Sequence, residues 1–171
     1  CPTGTGGMVI AEWFDFKKSK PLKYGVTGSL SAKIEQPDFL PDRFESGTLN
    51  VAGLNGLLAG SEYIQKKKGG IEGIFELKTE LQNYFIQKAE TILKDFFCYS
   101  TSQLPSKGVI AFRINKFPIS ETTQILSEKY GIMSRQGLHC SPLAHQTIGT
   151  FPEGTLRFGF SIFIKKEEID F

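Results

Sequence analysis

The side chains best suited to chemistry crowd into one stretch, Arg135 to Thr150, which reads Arg-Gln-Gly-Leu-His-Cys-Ser-Pro-Leu-Ala-His-Gln-Thr-Ile-Gly-Thr. It holds Arg135, Cys140 and both histidines of the chain, His139 and His145. Arg157 follows on an alternating segment. A thiol set among cations has a lowered pKa and attacks as the thiolate at neutral pH, so Cys140 is a candidate nucleophile. A free cysteine can equally be a small buried hydrophobe. That second reading suits Cys98, flanked by Phe97 and Tyr99, better than Cys140, which stands in a loop. Arg157 has the planar fork that grips a carboxylate with two hydrogen bonds. An arginine on the open face of a strand is also often just solvated, and spacing leaves both readings open.

Other constellations are weaker. His139, Cys140 and His145 are donors of the type zinc accepts, but their spacing matches no common zinc pattern, and no metal site is expected. The turns Gly4-Thr5-Gly6-Gly7 and Glu45-Ser46-Gly47-Thr48 offer free amides and a hydroxyl that could cradle a phosphate. Neither has the lysine or acidic residue of a P-loop or dinucleotide fingerprint at the required offset. The three cysteines are odd in number and not closely paired, which argues against a disulfide framework.

The scaffold must fit in 171 residues, one domain or a domain plus a piece of another. A net charge of +2 gives no reason to expect nucleic acid. Lys66-Lys67-Lys68 reads as a solvated helix end. No apolar run approaches the length of about 18 residues that a membrane helix needs, and no signal-peptide core is present, so a cytoplasmic protein is expected. The chain opens inside a Gly-rich loop without an initiator Met and stops at Glu167-Glu168-Ile169-Asp170-Phe171, the first turn of a helix. Both ends read as cut from a longer polypeptide.

Along the chain, Met8-Val9-Ile10-Ala11 reads as a buried strand. Residues 15–45 are polar and turn-rich, the kind of stretch that wraps a partner. Helices are expected over 51–68, with a stripe of Leu54, Leu57, Leu58, Tyr63 and Ile64, and over about 71–94, with Ile71, Ile74, Phe75, Leu81, Phe85, Ala89, Ile92 and Leu93 at helical spacing. Strands follow at 96–100 and 109–114, joined by a turn at Pro105-Ser106-Lys107-Gly108. Ser120 is the expected N-cap of a helix of about ten residues that closes at Gly131. Ile132 to Arg135 reads as a short strand entering the cysteine loop. Leu156, Phe158, Phe160 and Ile162 alternate with Arg157, Gly159 and Ser161, a strand with one buried face and Arg157 on the other. The order from Ile71 predicts an α+β sandwich, a small mostly antiparallel sheet with helices on one face. Residues 1–50 cannot make a domain alone.

In combination, four stretches resemble the C-terminal part of pyridoxal-phosphate-dependent class V aminotransferase-fold enzymes, and among them the cysteine desulfurases. Pro2-Thr3-Gly4-Thr5-Gly6 resembles the loop after the Schiff-base lysine. Arg43-Phe44-Glu45-Ser46-Gly47-Thr48-Leu49-Asn50, running on to Gly53, resembles the Arg-x-Glu-x-Gly-Thr-x-Asn signature. Arg135-Gln136-Gly137-Leu138-His139-Cys140 resembles the Arg-x-Gly-x-His-Cys catalytic loop. Gly154-Thr155-Leu156-Arg157-Phe158 through Glu167-Glu168-Ile169-Asp170 resembles the final arginine strand and the helix start after it.

The resemblance implies an α/β, aspartate aminotransferase-like fold, with residues 1–70 ending the large cofactor domain and crossing a dimer interface, and 71–171 forming the α+β small domain. It implies pyridoxal 5'-phosphate as cofactor, L-cysteine as substrate, a homodimer with shared active sites and a sulfur-acceptor protein, as in supply to iron–sulfur cluster assembly. Cys140 would take the substrate's sulfur as a persulfide. Arg157, Arg135 and His139 would line the substrate site, and Thr48 with Gly47 would reach the cofactor phosphate of the other subunit. The family usually has Gly where Cys1 stands, and Phe163-Ile164-Lys165 replaces a common Tyr-Asn-Thr. The Schiff-base lysine would precede Cys1, so the 171 residues alone are expected to be inactive. The alternatives are a selenocysteine or cysteine-sulfinate lyase, a class V aminotransferase, or a non-catalytic dimerisation module.

Overall fold

The computed structural model describes residues 3–26, 28–67, 69–100 and 108–171. The chain divides into two compact units, Cys1–Lys66 and Lys67–Phe171.

The first unit contains a 3-10 turn, Phe16–Lys18, and one long helix, α1 (Val51–Lys66). Side chains bonded to backbone hold the rest. Arg43 donates to the carbonyls of Phe16, Lys17 and Ser19. Gln36 donates to those of Asp42 and Glu45 and accepts from Gly25 N–H. Asn50 caps α1 by accepting from Gly53 N–H at 3.0 Å, and its amide reaches Thr3 and Thr5. The strand expected at Met8–Ala11 does not form, and Val9 is 99% exposed. An apolar run becomes a strand only where a neighbouring edge pairs its backbone groups, and no strand exists among this unit's described residues. Most of the α1 stripe is likewise exposed at Leu54, Leu58, Tyr63 and Ile64.

The second unit is the α+β part. Its elements are α2 (Gly70–Ile92), β1 (Phe96–Cys98), β2 (Val109–Ile114), α3 (Ile119–Tyr130), β3 (Arg135–Gly137), α4 (Pro142–Thr147), β4 (Thr155–Gly159) and α5 (Lys166–Asp170). The strands make one fully antiparallel sheet in the order β1-β2-β4-β3. The β2–β4 register pairs Ile110 with Phe158 and Phe112 with Leu156, so the alternating apolar residues share one face. Against it pack Leu81, Phe85 and Ile86 of α2, Ile119 of α3 and Ile169 of α5. Phe85 sits at the centre, with ring centroids 5.5–6.1 Å from Phe158, Phe112, Phe160 and Phe96. On the surface, Tyr84 donates to Asp170 at 2.7 Å, and Lys88 pairs with the same carboxylate at 2.9 Å, fastening α5 to α2.

Several boundaries differ from the sequence expectation. The α3 cap is Pro118 rather than Ser120, because the Pro118 carbonyl takes both the backbone N–H and the hydroxyl of Thr122. Gly131 closes α3 in a left-handed conformation, with Gly131 N–H on Ser127 and Ile132 N–H on Leu126. The strand expected from Ile132 begins only at Arg135, where pairing with β4 starts, and β4 ends at Gly159 rather than Ile162. Residues 132–134 and 160–162 have no pairing partner in the sheet register. α1 and α2 end at Lys66 and Ile92 rather than 68 and 94. The turn expected at Pro105–Gly108 lies, except for Gly108, outside the described residues. The cysteine loop contains a short helix, α4, where the sequence predicts only a loop.

Candidate active site

The face of the sheet opposite Phe112, Leu156 and Phe158 carries arginines. In register, Arg135 of β3 stands directly across from Arg157 of β4. Ala111 flanks Arg157 on the other side, and Arg113 lies further along the same face of β2. Like charges placed opposite each other across strands repel. Arg113 is neutralised locally by an ion pair with Glu153 at 3.1 Å, and it donates to Gly154 O at 2.7 Å and Thr150 O at 3.0 Å. Arg135 and Arg157 form no ion pair among the described residues. Two adjacent guanidiniums without a carboxylate make an anion-binding surface.

The β3 strand runs straight into the thiol. Leu138 O accepts from Ser141 N–H at 2.8 Å, turning the chain sharply, and His139 and Cys140 both take left-handed backbones at φ 50° and 61°. Cys140 is exposed, not packed in apolar surroundings. Ser141 followed by Pro142 then starts α4, with Pro in the first turn where its missing N–H costs nothing.

His139 is half-buried, with Nε2 3.1 Å from Thr155 O. Burial holds its pKa below the ordinary histidine value, and the electrostatic influence of Arg157, His145 and Arg135 pushes the same way, against the hydrogen bond to Thr155. From the sequence, the histidines are expected among the cations around the thiol. His139 is instead neutral at pH 7, so the positive charge here comes from Arg135 and Arg157. His145 is 5% exposed, and its Nδ1 lies 2.6 Å from Thr150 Oγ1. The two imidazoles pack with centroids 5.8 Å apart.

The sequence-predicted residues thus fall in two places. Arg135, His139, Cys140 and Arg157 come together at one edge of the sheet. Gly47 and Thr48 belong to the first unit, where Gly47 has φ 83° with its N–H on Val26 O, and Thr48 is exposed just ahead of α1. The sequence reading missed Arg113, Thr150 and Thr155. A charged residue within the apolar run Val109–Ile114 was the available signal for Arg113. The threonines gave none, because their roles depend on contacts formed only by the fold.

The fold that carries these residues is similar to that of solved cysteine desulfurases. The apo structure of cysteine desulfurase from Thermococcus onnurineus NA1 superposes with a TM-score of 0.67 at 29% identity, covering 81% of this chain and 32% of that one. The Escherichia coli cysteine desulfurase CsdA, in its S-sulfonic acid form, gives 0.64 at 26% identity over 76% of this chain and 30% of that one. The aminotransferase class-V family profile matches residues 1–171, and the chain belongs to that family. Among curated relatives, a cysteine desulfurase of Escherichia coli O157:H7 is 31% identical over 145 residues, 82% of this chain and 34% of the relative. A probable cysteine desulfurase of Pyrococcus abyssi is 28% identical over 174 residues, 99% of this chain and 41% of the relative. The chain therefore spans well under half the length of these relatives. No helix among the described residues is long and apolar enough to cross a membrane.

Proposed function

We propose that the chain is the C-terminal part of a pyridoxal-phosphate-dependent cysteine desulfurase, which converts L-cysteine and the Cys140 thiol into alanine and a persulfide on Cys140. The observation that carries this reading is the joining of an exposed thiol loop to an unpaired cross-strand arginine pair. Arg157 grips the substrate carboxylate with its planar fork, and Arg135 and His139 line the same site. The Cys140 thiolate attacks the substrate sulfur, so an S–S bond forms as the C–S bond breaks. Pyridoxal phosphate, when bound, supplies the electron sink for the pair left on carbon. Its phosphate fits the first unit, where the exposed Thr48 hydroxyl and the left-handed Gly47 turn precede the positive end of α1.

In this reading residues 1–70 end the cofactor domain and present Thr48 and Gly47 across a homodimer, and residues 71–171 are the small domain. A separate protein accepts the sulfur, for purposes such as iron–sulfur cluster assembly. In this reading the protein works in the cytoplasm, whose reducing conditions keep the Cys140 thiol free. The test is the complete enzyme containing this chain, assayed for alanine and sulfide from L-cysteine. Cys140→Ser should lower turnover by about a hundredfold or more, and Arg157→Met should raise KM steeply. Unchanged turnover in Cys140→Ser would overturn the assignment.

A further inference from the structure

Two consecutive non-glycine residues, His139 and Cys140, hold left-handed backbones, a conformation that persists only where the surroundings enforce it. Those surroundings are specific. His139 Nε2 lies 3.1 Å from Thr155 O and 3.3 Å from Thr155 Oγ1. A carbonyl can only accept, so Nε2 carries the ring proton and Nδ1 of the neutral ring is bare. Nδ1 is buried and has no partner. The ring packs on His145, which is bonded to Thr150 Oγ1 at 2.6 Å, and the His145 carbonyl takes the amides of Thr150 and Phe151. Thr155 is two residues before Arg157 on β4. Past the end of the β3–β4 ladder at Gly137 and Thr155, this hydrogen bond ties the left-handed residues of the thiol's loop to the strand that bears the carboxylate-binding guanidinium.

We propose that His139 is a positioning residue acting through Cys140: its Nε2–H bond to the Thr155 carbonyl, backed by the His145–Thr150 pair, holds the thiol's left-handed loop in fixed register with the strand of Arg157. The inference rests on Cys140 being the nucleophile, and it gives His139 the task of holding the thiol rather than bonding to substrate. Loss of the bond lets the loop relax while Arg157 still grips the carboxylate, so the chemical step suffers and substrate binding does not. Gln can place its amide N–H near the Nε2 position and restore part of the bond.

The complete enzyme is compared with its His139→Ala, His139→Gln, Thr150→Val and Cys140→Ser variants. In His139→Ala, kcat should fall about tenfold or more, since a small misplacement of a reacting group is costly, with KM within about threefold. His139→Gln should recover most of the loss, and Thr150→Val should show the same pattern more weakly. Should His139→Ala not fold, the Gln and Val variants carry the test. In the 171-residue chain, ¹H–¹⁵N correlation of the imidazoles should show the His139 proton on Nε2 and a bare Nδ1. A raised KM with unchanged kcat, kinetics insensitive to all three His139 and Thr150 substitutions, or a proton on Nδ1 overturns the inference. Sulfur release surviving in Cys140→Ser sinks the parent reading instead.

Discussion

Gly154→Ala should unfold the second unit far more readily than the same change at Gly149. Both glycines have left-handed backbones, φ 84° and 72°, and forcing alanine there costs about 1–2 kcal/mol. Their surroundings differ. A Cβ on Gly154 would lie 2.1 Å from the carbonyl carbon and oxygen of Gly137, whereas one on Gly149 meets nothing within 4 Å. Gly137 is backbone at the end of β3, so the clash cannot be relieved by rotating a side chain. The strand must retreat by about 1 Å, and overpacking of that kind costs a further ~1–3 kcal/mol. The expected totals are about 2–5 kcal/mol for Gly154→Ala and about 1–2 kcal/mol for Gly149→Ala. Urea unfolding of the 171-residue chain, followed by far-UV circular dichroism, measures the difference. Hydrogen exchange should in addition show the β3 amides opening first in Gly154→Ala. Equal midpoints for the two variants would refute the packing of the 150–154 turn on the cysteine strand.

Three further outcomes follow from the same geometry. His139 is held below its ordinary pKa by burial and by Arg157, His145 and Arg135; its neutral form is favoured by folding. Its contribution is complete above about pH 6.5 and is lost as pH falls through the lower folded value. His139→Gln should flatten the urea midpoint against pH below 6.5, and an unchanged slope would count against the shift. Leu156 is fully buried between β2 and β3, and Leu156→Ala should cost about 2–5 kcal/mol in thermal or urea unfolding; a loss under about 1 kcal/mol would contradict its place in the core. Arg113→Met leaves the carbonyls of Gly154 and Thr150 without their charged donor and should cost about 1–3 kcal/mol, whereas Glu153→Gln, on the exposed side of the ion pair, should cost less than about 1 kcal/mol. The reverse order would mean that Arg113 acts through the ion pair alone.

The sheet and its chemistry were legible in the residues to different depths. The alternation of Leu156, Arg157 and Phe158, with Val109–Ile114, announced two strands with one greasy face, and the structure pairs them with each other. The glycine at 131 marked the end of α3 for a backbone reason independent of tertiary contacts. Met8–Ala11 misled because local hydrophobicity cannot supply the neighbouring edge a strand needs. Ser120 misled because Pro118 offered an earlier carbonyl that Thr122 could use twice. The identities of Cys140, Arg135 and Arg157 were readable. Their cross-strand pairing was not, because register is set by packing of the whole sheet. The charge state of His139 was also hidden, since it depends on burial and on two guanidiniums brought close only by folding.

Sulfur transfer to Cys140 is measured directly by peptide mass spectrometry of the complete enzyme after brief exposure to L-cysteine. The peptide containing Cys140 should gain the mass of one sulfur atom, reversibly by dithiothreitol, and the peptide containing Cys98 should not. Turnover of L-cysteine to alanine with the Cys140 peptide unmodified throughout, or with the extra sulfur on Cys98, would contradict it.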